Sequence, residues 1–182
     1  MEGLKIENVV ASSSMERKLD LEEAARVLDG SEYDPEKFPG LVYRVDKPKT
    51  AILLFTSGKV VCTGGKTTEE ARASVNKVKN LLREHDIETA DEIEVTVQNI
   101  VASYGLGVDL NLNSVAITLG LERVEYEPEQ FPGLVYRLRD SDVVLLLFGS
   151  GNMVCTGAKE ISDLEEAVDH IKAELKGAGL IH

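Results

Sequence analysis

Phe38-Pro39-Gly40-Leu41-Val42-Tyr43-Arg44 returns as Phe131-Pro132-Gly133-Leu134-Val135-Tyr136-Arg137, and the rest of the 182-residue chain falls into place around that recurrence. The two copies stay in register outward from it. Tyr33 matches Tyr126, Phe55 matches Phe148, Cys62-Thr63-Gly64 matches Cys155-Thr156-Gly157 and Lys66 matches Lys159, each at the 93-residue offset that separates Phe38 from Phe131. A sustained offset of this kind marks a tandem duplication, with repeats at 1–92 and 93–182. All four phenylalanines of the chain belong to two symmetry-related pairs, which leaves none for an ordinary core.

Composition narrows the class. With 43% hydrophobic and 29% charged residues the chain has enough apolar surface to fold without staples. Cys62 and Cys155 occupy equivalent apolar positions and suit a reducing compartment as core residues, and no ligand spacing points to a metal or other cofactor. Met1 to Ile6 lacks a basic region followed by an apolar stretch, and no window is apolar enough to span a bilayer. A cytoplasmic protein is expected. The net charge of −12 runs against a general nucleic-acid binder, which is expected to be basic.

Along the chain, Glu2–Ser13 and Thr96–Ser103 alternate as strands, with Asn8 matching Asn99 at an offset of 91. Asp20 offers an N-cap to a short helix through Leu28, and Asn111–Leu119, closed by Gly120, is its counterpart. The change of offset places a two-residue insertion between Gly120 and Glu125. Three strands follow in each repeat (41–45, 50–56 and 59–63; 134–138, 143–148 and 152–156), and the turn signals Ser57-Gly58 and Ser150-Gly151 make them antiparallel. Proline-bracketed loops at Asp34–Gly40 and Glu127–Gly133 project from the sheet. Each repeat closes with a long helix behind a capping box, Thr67 to Glu70 and Ser162 to Glu165.

The central strands are apolar on both faces, yet two helices per repeat cover only one. With Ile52, Leu54, Val60 and Cys62 toward the helices, the period of two turns Leu53, Phe55, Val61 and Thr63 to the other face, beside Asn8 and Val10. The second repeat repeats the set with Leu146, Phe148, Val154, Thr156, Asn99 and Val101. Such a face reads as a binding surface. Closed barrels, sandwiches and obligate dimer seams share the pattern, and alternation alone does not choose among them. The paired Asn and Thr weigh against a dry seam, where each would need a partner.

These residues resemble a known family. The Phe-Pro-Gly-Leu-Val-Tyr-Arg motif, the run from Phe55 to Lys66 and Gln98-Asn99-Ile100-Val101 are similar to the core of the TATA-box-binding proteins, over essentially the whole chain. The acidic balance and the lack of an extension before the first repeat are similar to its archaeal branch. The resemblance implies an α+β saddle, a ten-stranded curved antiparallel sheet with four helices on the convex face and sharply kinked DNA under the concave one. It implies wedges at Phe38, Phe55, Phe131 and Phe148. Minor-groove contacts would come from Asn8, Asn99, Thr63 and Thr156, flanked by Val10, Leu53, Val61, Val101, Leu146 and Val154. It implies further a general initiation factor acting at A·T-rich promoter DNA in the nucleoid, with transcription factor B gripping Glu127, Glu129 and Gln130 and RNA polymerase joining the assembly.

Candidate phosphate contacts are Arg44, Lys47, Lys49, Lys59 and Lys66 in the first repeat and Arg137, Arg139 and Lys159 in the second, where Asn152 replaces Lys59 and Gln130 replaces Lys37. Few cations predict a shallow fall of DNA affinity with salt; a bare apolar face leaves self-association without DNA open, to be decided by sedimentation over a dilution series. No nucleophile, acid–base pair or phosphate loop stands out. Gly65-Lys66-Thr67 lacks the glycine that a phosphate loop needs at position 60, and His85, His170 and His182 have no repeat partners. Two other readings of an apolar sheet face are a hot-dog-like acyl-thioester enzyme, which would want a carboxylate or His at the repeat interface, and a homodimeric interaction module.

Overall fold

A computed structural model describes every residue from Met1 to His182. The elements in chain order are β1 (Lys5–Ser14), α1 (Leu21–Val27), β2 (Leu41–Val45), β3 (Thr50–Leu54), β4 (Lys59–Gly65), α2 (Thr68–Glu84), β5 (Thr96–Gly105), α3 (Leu112–Leu119), β6 (Val124–Glu125), β7 (Leu134–Arg137), β8 (Val144–Leu147), β9 (Asn152–Ala158) and α4 (Ile161–Gly177). They pack as two compact units, Asn8–Gln98 and Met1–Glu7 with Asn99–His182. The first seven residues join the later unit through polar contacts. The Met1 ammonium lies 2.8 Å from Glu165, and the Ser103 hydroxyl donates to the Glu7 carboxylate at 2.8 Å.

Within Asn8–Gln98 the strand order is β2-β3-β4-β1, antiparallel throughout. α2 packs on β3 and β4, and α1 packs against α2. Strict alternation places Ile52, Leu54, Val60 and Cys62 in the core with Val75, Val78 and Leu82 of α2, all at 0–1% exposure. In the other unit the order is β5-β9-β8-β7-β6, again antiparallel, with α4 on β9 and α3 against α4 and β6. Leu145, Leu147, Met153 and Cys155 alternate inward beneath Leu164, Val168 and Ile171. Burial pushes the Cys62 and Cys155 thiols up to about 11, so both are unreactive core side chains.

The strands number nine, where ten were expected. β6 pairs with β7 through Val124 and Glu125, but its counterpart is a single bridge between Glu32 and Val42. The cause is local. Ser31 gives its N–H to Leu28 and its hydroxyl to the Ala25 carbonyl, which ties it to the end of α1. In the second repeat, after the two-residue insertion, Arg137 donates to the Arg123 carbonyl and the pairing extends to Val124 and Glu125.

Three helix starts follow their capping residues. Asp20 accepts from Glu22 and Glu23, Asn111 from Ser114, and Thr67 from Glu70, whose carboxylate reaches back to the Lys66 N–H. The fourth differs from expectation. α4 starts at Ile161 with Glu160 at the N-cap and no side-chain cap bond, so Ser162 falls inside the first turn. Glu is a methylene too long to fold back on its own helix, and such an end forgoes about 1 kcal/mol of capping. No helix is long and apolar enough to cross a membrane.

Candidate nucleic-acid interface

Each unit presents the same half-exposed face on the side of its sheet away from the helices. In Asn8–Gln98 it comprises Leu53 and Val61, directly paired across β3 and β4, with Val10 and the polar pair Asn8 and Thr63. In the other unit Leu146 pairs with Val154, beside Val101, Asn99 and Thr156. All ten positions are half-exposed, as the period of two requires of the face away from the helices.

The polar pairs are built, not merely adjacent. Asn8 donates from Nδ2 to Thr63 Oγ1 at 3.1 Å, while its Oδ1 accepts the Gly64 N–H at 2.7 Å. Asn99 does the same with Thr156 at 3.0 Å and Gly157 at 2.8 Å. The glycine N–H reaches the amide because β4 and β9 each bulge there. The ladder slips between Val9↔Gly65 and Ala11↔Cys62, and between Ile100↔Ala158 and Ala102↔Cys155. Gly64 and Gly157 occupy the bulges at φ 94°, a conformation open chiefly to glycine. Periodicity does not reveal these bulge glycines; their signal is the Thr-Gly dipeptide repeated in both copies.

The consequence is chemical. With Oδ1 held by a main-chain donor, the amide orientation is set, and Nδ2 spends one of its two hydrogens within the protein. The Thr hydroxyl, having accepted from the amide, has its own hydrogen to give, its internal alternative being Oδ1 at 3.4 Å in one unit and 3.3 Å in the other. Each dyad therefore offers two donors to whatever meets the face.

The phenylalanines lie at the end of this face. Phe38 and Phe131 are each 40% exposed, and Phe55 and Phe148 are half-buried. Phe55 and Phe148 fall just past β3 and β8, inside the tight turns, where each bonds to the residue four ahead. The rings pair edge to face, centroids 5.9 Å apart in both units. The loops that carry Phe38 and Phe131 share one turn, in which the Asp34 or Glu127 carbonyl accepts from the residues three and four ahead. Glu127, Glu129 and Gln130 stand exposed on the second loop.

Charge is segregated. Glu22, Glu23, Glu69, Glu84, Asp163 and Glu166 are exposed on the helices, away from the face. Arg44, Lys49 and Lys66 line a groove beside Thr63 and Gly64, shared with Asp46 and Glu70. Lys47, Lys59, Arg139 and Lys159 are also exposed, and Arg137 lies 3.6 Å from Glu125. By repeat position Asp140 and Asp142 stand where the first repeat has Lys47 and Lys49. His170 pairs with Glu174 of its own helix at 3.2 Å and takes no part in the face.

Comparison with known proteins gives a consistent result. The family model described as "Transcription factor TFIID (or TATA-binding protein, TBP)" matches residues 3–85 and 94–178. The chain is 57% identical over 180 residues to the TATA-box-binding protein of Thermoplasma acidophilum, covering 99% of this chain and 98% of that one. It is 57% identical over 178 residues to the TATA-box-binding protein of Archaeoglobus fulgidus, covering 98% and 97%. Among solved structures, Methanococcus jannaschii TBP superposes with a TM-score of 0.86 at 48% identity, covering 96% of this chain and 98% of that one.

Proposed function

This chain belongs to the TATA-box-binding protein family, and from that premise we propose that it is a general transcription initiation factor that binds A·T-rich promoter DNA through the minor groove. The observation that carries the reading is the bare apolar face of each unit, with a donor-bearing Asn–Thr dyad and an exposed phenylalanine pair. In the minor groove, A·T and T·A pairs present only acceptors, whereas G·C adds the guanine amine. Outward donors satisfy the acceptors; a wall of Val and Leu leaves a guanine amine without a partner, at about 1–3 kcal/mol per substituted pair.

The four phenylalanines supply the wedge. Burying each ring stabilises the complex by roughly 1.5–3 kcal/mol. Minor-groove wedge proteins, of which this family is a standing example, unstack a base step at a cost of about a few kcal/mol. Two ring pairs therefore offset two kinked steps without help from charge, which reconciles a net −12 chain with DNA. Fluorescence anisotropy with an A·T-rich and a G·C-rich duplex tests the reading. Tight binding to the first only is expected, with a salt dependence much shallower than the slope of about −10 seen for a basic repressor. Equal affinity for both duplexes, or a steep slope, rejects it.

Transcription factor B and RNA polymerase complete the proposed assembly, through the loop of the Met1–Glu7 and Asn99–His182 unit. There Glu127 and Glu129 are exposed with the neutral Gln130, whereas the equivalent loop carries Lys37 4.0 Å from Asp34. A carboxylate pair at the loop tip suits a cationic partner surface. Reversing Glu127 and Glu129 to Lys is expected to leave DNA binding within about twofold and to abolish the ternary complex, at about 2–5 kcal/mol for a desolvated interfacial charge pair. A ternary complex that forms unchanged on native gels removes this contact from the scheme.

A further inference from the structure

Each phenylalanine pair meets over a buried glycine. A Cβ on Gly40 would lie 2.7 Å from Phe38 Cε2 and 3.0 Å from Phe55 Cε1; on Gly133 it would lie 2.7 Å from Phe131 Cε2 and 2.9 Å from Phe148 Cε1. Carbon atoms in contact sit about 3.5–4.0 Å apart, so neither ring pair can keep its place over an alanine. Neither glycine has a positive φ, so the backbone alone does not require glycine at either position. It is the rings that demand the missing side chain.

Other repeated glycines behave differently. A Cβ on Gly58, Gly151 or Gly157 would fall 2.3, 2.0 or 2.2 Å from the carbonyl oxygen of Arg17, Val108 or Asp142, and all three have positive φ. Main chain cannot step aside there, so those glycines serve the fold. At Gly40 and Gly133 the group that must yield first is the outer end of a ring on an exposed phenylalanine, and the fold loses little when it moves.

We propose that Gly40 and Gly133 are positioning residues for the DNA wedges: by letting both rings rest on bare main chain they set the angle and depth at which each pair enters a base step. The proposal rests on the wedging reading above. An added methyl splays the edge-to-face pair and presents a blunter wedge, which unstacks its step less completely.

The test uses the full chain with Gly40→Ala, Gly133→Ala, Phe38→Ala and the double variant Phe38→Ala/Gly40→Ala. The duplex is A·T-rich with a donor and an acceptor dye at its ends, and energy transfer is read at saturating protein so that affinity drops out. Both glycine variants are expected to melt within a few degrees of the parent, to bend DNA less and to bind about tenfold more weakly. Adding Gly40→Ala to Phe38→Ala is expected to cost less than Gly40→Ala costs the parent, because the closer ring is gone and only Phe55, 3.0 Å from the added methyl, remains to be displaced. Unchanged energy transfer, penalties that add in the double variant, or a glycine variant that fails to fold each overturn the proposal. A parent chain that binds the duplex without bending it overturns the wedging reading itself, an outcome visible before any variant is made.

Discussion

Phe148→Ala is expected to weaken binding to an A·T-rich duplex by about 2–4 kcal/mol, roughly 30- to 1000-fold, while leaving the free protein folded. The two effects separate because the ring does different work in the two states. In the free protein Phe148 is half-buried and pairs edge to face with Phe131, worth about 0.5–1.5 kcal/mol. The core beneath it, Leu145 and Leu147 on β8 with Met153 and Cys155 on β9, is closed without it. In the proposed complex the ring would lose its remaining exposure between two bases, and alanine would leave both the opened step and Phe131 unsupported. Anisotropy titrations of parent and variant, with melting curves of each, check the prediction. A loss of less than threefold would mean that Phe148 is not a wedge.

Much of this site is legible from residue order. A duplication exposes itself by a constant offset, and a period of two on strands apolar on both sides leaves one face without a partner, which is where Leu53, Val61, Leu146 and Val154 stand. Caps at Asp20, Thr67 and Asn111 are legible for the same reason, being short-range bonds between a residue and its own helix.

What escapes is anything decided by a single competing hydrogen bond or a single added residue. The first repeat keeps a single bridge, Glu32 to Val42, with Ser31 bonded back to the end of α1, whereas in the second repeat one further bond, from Arg137 to the Arg123 carbonyl, extends the pairing. At α4, Ser162 and Glu165 imitate a capping box, but the N-cap is Glu160, the position that the repeat offset from Thr67 gives. The Asn–Thr dyads depend on one-residue bulges in β4 and β9, and a bulge leaves no trace in a two-residue period beyond the glycine that tolerates it.

Those dyads carry the second large prediction. Asn99→Asp is nearly isosteric and keeps an oxygen for the Gly157 N–H, so the bulge and the fold are expected to survive. What changes is the outward group. An amide N–H becomes a carboxylate oxygen, and the A·T minor groove offers only acceptors to meet it. Repulsion between acceptors then adds to the cost of burying an ionised group without a partner, about 1–3 kcal/mol for a neutral polar group and more for a charged one. A loss of at least about 3 kcal/mol, more than 100-fold, is expected on A·T-rich DNA at neutral pH. Asn99→Ala should lose less, since it removes the donor without installing an opposing charge. G·C-rich duplexes discriminate further: a guanine amine can donate to the new carboxylate, so the A·T over G·C preference of Asn99→Asp should narrow even as overall affinity falls. Anisotropy on both duplexes measures the ratio. An undiminished A·T preference in Asn99→Asp would show that the dyad supports the bulge and does not read the groove.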